Sequence, residues 1–366
     1  MDIPFFRYSF VFESFESEFL EITQSVGKRG AFILQQELLD FEQSIAKFCG
    51  SKYAVGVANA TDGLQMAFMC GGLQQDDEVI ISSHTMIATA SAIHFAGGVA
   101  IPVDAGSDHL IDHNKIRGAI TSKTRAICPT QLNGRTSNMD EIVSIADEFG
   151  LSIYEDAAQA LGSKWKGKCA GTFGLASCIS FYPAKILGCL GDGGIVLTSD
   201  DEIYNKLLLL RDHGRSADGN IASWGFNSRL DNIQAAYLSV QFKNYPYTIE
   251  RRRYMADRFN ERLKSLSQVV LPPAPEIDSD HFDVYQNYEI QVEDRDNLVA
   301  FLKDNGIGTL VQWGGKAIHH FTSLGFNQSL PYTDKLFERI LMLPFNLSLT
   351  DDEIDYICDR IASFYS

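Results

Sequence analysis

From about residue 50 onward the chain repeats one unit: a short apolar run, a turn, and a stretch with helical spacing. Tyr53–Val57, Glu78–Ile81, Val99–Val103 and Arg125–Pro129 read as strands, with helices at Asp62–Met69 and Ile87–Ala96. Met139–Phe149 places Ile142, Ile145, Ala146 and Phe149 on one helical face, with Asn138 as N-cap and Gly150 as stop, and Leu151–Tyr154 follows as a strand. Strands alternating with helices over short connections imply a mostly parallel sheet covered on both faces. Such sheets take ligands beyond the carboxyl ends of their strands, so motifs at those ends carry the most information.

After about residue 240 the rhythm changes. A charged helix is expected over Tyr247–Leu266. It is followed by the proline-rich turn Leu271–Pro275, an alternating strand Val284–Val292, and helices near Leu298–Asn305, Asp334–Ile340 and Asp351–Phe364. At 366 residues the chain exceeds one simple core. Two domains are expected, a large α/β domain over 1–240 and a smaller α/β domain over 241–366. The first ~45 residues read as an arm and a helix packed on the whole.

Composition removes several function classes. The formal net charge is −16 and no basic stripe occurs, which argues against nucleic acid. Arg251-Arg252-Arg253 reads as a solvated helix face. No apolar run approaches the ~20 residues of a membrane span. The seven cysteines are odd in number and form no Cys-x-x-Cys pair, which argues for a reducing, cytoplasmic setting and against disulfides or a zinc site. No Gly-x-Gly-x-x-Gly turn follows an early strand, so a nicotinamide-dependent dehydrogenase is disfavoured.

Four segments carry candidate chemistry. In Ser180-Phe-Tyr-Pro-Ala-Lys185-Ile-Leu-Gly-Cys-Leu-Gly-Asp-Gly-Gly194 a strand enters a loop with a single lysine, and a glycine-rich turn feeds the next strand. A desolvated lysine there gives up its proton readily, as a Schiff-base lysine must; a surface lysine beside a hairpin is the plain alternative. In Ile153-Tyr-Glu-Asp156-Ala-Ala-Gln159-Ala-Leu-Gly162 an acid ends a buried strand. Asp156 is open to four readings: a salt bridge, a metal ligand, a partner for a cationic ring nitrogen, or the N-cap of a short helix over Ala157–Leu161. In Val57-Ala-Asn59-Ala60-Thr61-Asp62-Gly63-Leu64 a helix start offers free amides to a phosphate, or is merely capped by Thr61 or Asp62. In Gly225-Phe-Asn227-Ser-Arg229-Leu-Asp231-Asn-Ile-Gln-Ala-Ala236, Asn227 and Arg229 precede an apolar helix. There they either reach phosphate oxygens or belong to a capped surface turn.

Together, in this order, these segments resemble the sugar-nucleotide aminotransferases of the DegT/StrS type, within the pyridoxal 5′-phosphate (PLP) fold type I group, from about Gly27 to the end. The resemblance implies a mostly parallel seven-stranded-type sheet flanked by helices, a smaller C-terminal α/β domain, and PLP held as a Schiff base on Lys185. It implies that Asp156 pairs with the ring nitrogen and Gln159 lies near the ring. The Ala60 and Thr61 amides and the Ser180 hydroxyl would hold the phosphate, and Asn227 would reach it from the second subunit of a homodimer. Met86 stands where the family usually has a stacking aromatic, and Gln131-Leu-Asn133-Gly134 departs from the usual His-Leu-Tyr-Gly. The implied reaction moves an amino group from L-glutamate to a nucleotide-linked keto-sugar, at carbon 3 or carbon 4, for lipopolysaccharide or other amino-sugar biosynthesis. Lys28, Arg29, Arg229, Trp313 and His319 are candidate substrate contacts. A metal at His319-His320 is not expected, because adjacent side chains rarely converge and no carboxylate lies close in sequence. Two alternatives are a sugar dehydratase on the same scaffold, where relatives carry histidine at the lysine position, and a non-enzymatic regulatory or binding protein.

Overall fold

The computed structural model describes all 366 residues. Thirteen strands form, in chain order: β1 (Tyr53–Val57), β2 (Glu78–Ser82), β3 (Val99–Val103), β4 (Thr124–Cys128), β5 (Ser152–Asp156), β6 (Lys164–Trp165), β7 (Lys168–Cys169), β8 (Ala176–Ser180), β9 (Gly194–Thr198), β10 (Val269–Val270), β11 (His281–Phe282), β12 (Tyr288–Val292) and β13 (Ile340–Leu343). Thirteen helices accompany them: α1 (Ser9–Ser14), α2 (Glu16–Arg29), α3 (Gln36–Cys49), α4 (Ala60–Cys70), α5 (Ile87–Phe95), α6 (His113–Ala119), α7 (Met139–Phe149), α8 (Asp201–Leu210), α9 (Asn232–Lys243), α10 (Tyr245–Leu263), α11 (Arg295–Asp304), α12 (Pro331–Arg339) and α13 (Asp351–Phe364). None is long and apolar enough to cross a membrane.

The main sheet has seven strands in the order β1-β9-β8-β5-β4-β2-β3, and only β9 runs antiparallel to its neighbours. Strand alternation sorts its side chains into two cores. Val55, Val79, Ala126, Tyr154, Cys178 and Val196 pack with α4, α5 and α8 on one face. On the other, Ile179, Ile195 and Leu197 meet α3 and α9, and Ile80, Ile127 and Ile153 meet α7. Burial on both faces explains why these strands read as continuous apolar runs. A second sheet, β10-β12-β13, is antiparallel and shares a core with α10, α11 and α13. The N-terminal arm joins this second core: Ile3 is fully buried there and bridges to Ile307.

Several expected elements differ. The charged helix runs over Tyr245–Leu263, with Pro246 in its first turn and a separate helix α9 before it. The expected strand over Val284–Val292 starts only at Tyr288, because Tyr285 takes a positive φ of 50°. Of the readings open for Asp156, the N-cap of a short helix over Ala157–Leu161 does not apply, because that stretch forms turns. The N-terminal region contains three helices rather than one.

The seating of α4 on the sheet depends on Gly63. A Cβ there would lie 2.4 Å from Cys178 Sγ and 3.0 Å from Val196 Cγ2. Helix propensity alone favours alanine by ~1 kcal/mol, but overpacking of this kind costs ~1–3 kcal/mol. Gly63→Ala is therefore expected to lower stability in urea denaturation, by up to about 2 kcal/mol. Gly118→Ala, in α6 with nothing within 4 Å, is expected to raise it. Equal shifts in the two variants would show that contact with the sheet does not limit α4.

Candidate active site

The carboxyl ends of the parallel strands and the N-terminus of α4 open onto a cavity of about 630 Å³. Asn59 caps α4, its side chain accepting from the Asp62 amide at 2.9 Å, and the Asn59 carbonyl accepts from Gly63 N–H at 3.1 Å. Neither Thr61 nor Asp62, the residues that the alternative reading made caps, fills that role. The Asn59 cap leaves the Ala60 and Thr61 amides, which have no intrahelical partner, at the cavity wall. An anion suits such a helix end. Ser180, the last residue of β8, lines the same cavity.

Asp156 ends β5 and is 4% exposed. Its carboxylate accepts from the Thr89 hydroxyl at 2.5 Å and from the Ala158 amide at 3.2 Å. Thr89 in turn is hydrogen-bonded to Thr85, and Thr85 to Thr130. Burial pushes the Asp156 carboxyl above its ordinary range, while Thr89, Ala158 and the charge of Lys185 oppose that push. A buried carboxylate at this edge is poised to accept a cationic partner.

Lys185 follows β8 in a turn closed by its own amide donating to Tyr182 O at 2.8 Å. Its amine faces the cavity and makes no hydrogen bond or ion pair. Burial lowers it to about 8 from an ordinary 10.5, and Asp156 works against that lowering. Gln286 brackets the lysine: its Oε1 accepts from Ile186 N–H at 2.8 Å and its Nε2 donates to Ala184 O at 2.9 Å. Gly134 allows this approach, since a Cβ there would lie 2.5 Å from Gln286 N.

A second network shapes another part of the wall. Gln159 Oε1 accepts from Asn133 N–H at 2.8 Å and from Asn287 Nδ2 at 3.2 Å. Asn133 Oδ1 accepts from Asn287 at 2.9 Å and from Gln312 at 2.6 Å. Met86 and Trp313 also line the cavity, as do Phe5 and Tyr8 from the N-terminal arm. Asn287, Gln286, Gln312, Phe5 and Tyr8 carried no local signal in the sequence. The Gln131 departure is structural: its side chain donates to Glu155 at 2.8 Å and accepts from Ser137 N–H at 2.7 Å.

Thus Ala60, Thr61, Met86, Asp156, Gln159, Ser180, Lys185 and Trp313 meet at one cavity. Four expected substrate contacts do not join them. Lys28 and Arg29 lie exposed in the last turn of α2, and Arg29 pairs with Glu37. Arg229 pairs with Asp212. Both ring nitrogens of the buried His319 are engaged, Nδ1 with Ser83 Oγ at 2.6 Å and Nε2 with Asp334 at 2.9 Å. His320 reaches the same Asp334 oxygen at 2.7 Å, so a carboxylate does accompany this histidine pair, supplied by α12. Asn227 is exposed and lies outside this chain's own cavity.

An unpaired, burial-depressed amine, a buried carboxyl and an open helix N-terminus at one strand edge fit PLP: an aldehyde, a ring nitrogen and a phosphate each find a partner. The fold is that of a fold type I PLP aminotransferase. Residues 13–362 match the model of the DegT/DnrJ/EryC1/StrS aminotransferase family, and the chain belongs to that family. A pleiotropic regulatory protein of Geobacillus stearothermophilus is 36% identical over 100% of this chain and 99% of its own length. The dTDP-3-amino-3,4,6-trideoxy-alpha-D-glucose transaminase of Streptomyces venezuelae is 33% identical over 99% of this chain and 96% of its own. The crystal structure of S. venezuelae DesV in complex with a ketimine intermediate superposes with a TM-score of 0.95 at 33% identity, covering 100% of this chain and 99% of that one.

The lowered amine gives a pH signature in cofactor-free protein. Between pH about 8 and 10.5 the unfolded chain holds a proton on Lys185 that the folded chain has released, so stability rises with pH there. Relative to Lys185→Met, wild type is expected to be weakest below pH 8 and to recover towards pH 10.5, as read by denaturant titration. A difference that stays flat across this window contradicts a desolvated amine.

Proposed function

We propose that this chain transfers the amino group of L-glutamate to a nucleotide-linked keto-sugar whose ketone stands at carbon 3, as a cytoplasmic homodimer with shared sites. The observation that carries the reading is that Lys185 and Asp156 face one cavity, whose ~630 Å³ lies in the range of small-molecule sites. The choice of carbon 3 follows the name of the S. venezuelae transaminase. Residues 1–240 would form the cofactor-binding domain and 241–366 the smaller one.

PLP supplies an electron sink next to the carbon that carries the amino group. The Ala60 and Thr61 amides and the Ser180 hydroxyl would hold its phosphate, joined by Asn227 from the second subunit. Asp156, fixed by Thr89 and Ala158, would keep a proton on the ring nitrogen. Lys185, neutral in a useful fraction near pH 8, would take the α-proton of glutamate on Nζ and return a proton on the cofactor side. On the keto-sugar the same amine works in reverse. Glutamate leaves as 2-oxoglutarate, and the sugar C=O becomes CH–NH2. Gln159 and Met86 would confine the ring, and Trp313 would bound the sugar.

The name of the G. stearothermophilus relative favours a second reading, a regulatory protein on this scaffold. A glutamate half-reaction separates the two without needing the right sugar. PLP-loaded enzyme is expected to yield one 2-oxoglutarate per active site, and a panel of UDP- and dTDP-linked 3-keto and 4-keto sugars to yield amino-sugars by mass. Lys185→Ala is expected to lose ~10²–10⁴-fold in rate, and borohydride is expected to fix the cofactor to Lys185 in wild type only. No 2-oxoglutarate from loaded wild type would leave the regulatory reading; a product only from 4-keto sugars would correct the position.

A further inference from the structure

Beside the cavity wall, three segments far apart in sequence bring two imidazoles and a carboxylate together. His84 follows β2, His109 lies between β3 and α6, and Glu289 sits on β12. One ligand atom from each lies within 4.8 Å of the others. His109 Nδ1 is 2.7 Å and His84 Nε2 is 3.6 Å from Glu289 Oε1. His84 is wholly buried and neither of its ring nitrogens makes a hydrogen bond of good geometry; the polar groups beside it are Glu289, the Gln312 side chain and the His109 backbone. Glu289, 2% exposed, has no donor to Oε2, and Gln312, 1% exposed, has none to Oε1. Gln312 belongs to the same knot, since its amide donates to Asn133 and Asn133 donates to Glu289 Oε1 at 3.2 Å.

A buried polar atom left unpaired is costly, and His84, Glu289 and Gln312 each hold at least one. The contrast with His319, His320 and Asp334 is informative. There every ring nitrogen is used: Ser83 meets His319 Nδ1, the Ala317 amide donates to His320 Nδ1 at 3.1 Å, and Asp334 meets both Nε2 atoms. That trio is satisfied by protons alone. The His84 cluster is not.

We propose that His84, His109 and Glu289 bind one divalent transition-metal ion, zinc by the chemistry of the set, with the Gln312 carbonyl or a water as fourth ligand. Two imidazoles and a carboxylate suit zinc, whereas magnesium and calcium prefer oxygen throughout. Zinc bonds of ~2.0–2.2 Å in a tetrahedron separate ligand atoms by about 3.3 Å. The 3.6 Å His84–Glu289 spacing is within ~0.3 Å of that width, and the 2.7 Å His109–Glu289 contact would open by ~0.6 Å as the ion replaces the proton between them. Gln291 Nε2 lies 3.0 Å from His109 Nε2; with that amide turned over, its oxygen accepts from His109 Nε2–H and leaves Nδ1 for the metal. A cleft of about 40 Å³ lined by His109, Asn133 and Glu289 gives a route in. The ion would tie β12 of the second sheet to the loops behind β2 and β3, stiffening the wall that carries Asn133 and Gln312.

Chelator-stripped, PLP-loaded enzyme titrated with zinc against a chromogenic zinc chelator tests this. One tightly held equivalent per chain is expected. It should be lost in His84→Leu, which keeps packing against Phe337, and in Glu289→Gln. It should be weakened ~10–100-fold in Gln291→Leu and kept in His319→Gln and His320→Gln. Substoichiometric zinc in wild type, or a full equivalent retained by folded His84→Leu, overturns the proposal. Should His84→Leu not fold, zinc-edge anomalous diffraction from wild type decides: a peak among the three side chains supports the site, and a peak elsewhere or an ordered water in that place refutes it. Neither readout depends on transaminase activity.

Discussion

A sheet covered by helices on both faces leaves little room for a ligand except beyond its strand ends. Here that constraint decides where the polar chemistry sits. β5 is buried along its length until it delivers Asp156 to the rim, and β8 does the same with Ser180 before the chain turns through Lys185. The helices that cover one face supply the rest. The start of α4 faces the same rim, and α5 places Thr89 against the Asp156 carboxylate. The apolar packing of the two faces and the polar site are therefore one design problem.

Much of this was legible in sequence because the information was local. The alternation of strand and helix, the single lysine before a glycine-rich turn, and the acid closing an apolar strand each occupy a short window. Met139–Phe149 and Asp351–Phe364 formed with the expected bounds because their caps are written in adjacent residues. The misses are non-local. Gln286 reaches the residues on either side of Lys185 across about a hundred positions, and Asp334 reaches back to two histidines whose own neighbourhood held no acid. Lys28 and Arg29 are expected to meet substrate, yet they end a helix whose arginine is taken by Glu37. Charge type was readable there; the partner was not.

The cavity is lined by two polar systems of different character. Around Asp156, a chain of threonine hydroxyls presents one carboxylate in a fixed orientation. Around Asn133, amides bind one another, and Asn133 stands in positive φ to do so. Amide networks of this kind accept donors and acceptors alike, which suits a wall facing a polyhydroxylated substrate. Hydroxyl chains ending on a carboxylate suit a wall that must hold charge.

The bracketing of Lys185 by Gln286 bears on protein engineering. Trp313 and Gln312 make the C-terminal third an attractive part to exchange between homologues when a different sugar is wanted. The same exchange would carry Gln286 away with it, together with the backbone that fits against Gly134. A chimera joined anywhere between 243 and 285 would thus inherit its reactive amine from one parent and the clasp that aims it from the other. Crossover points placed beyond 287 would keep amine and clasp from a single parent.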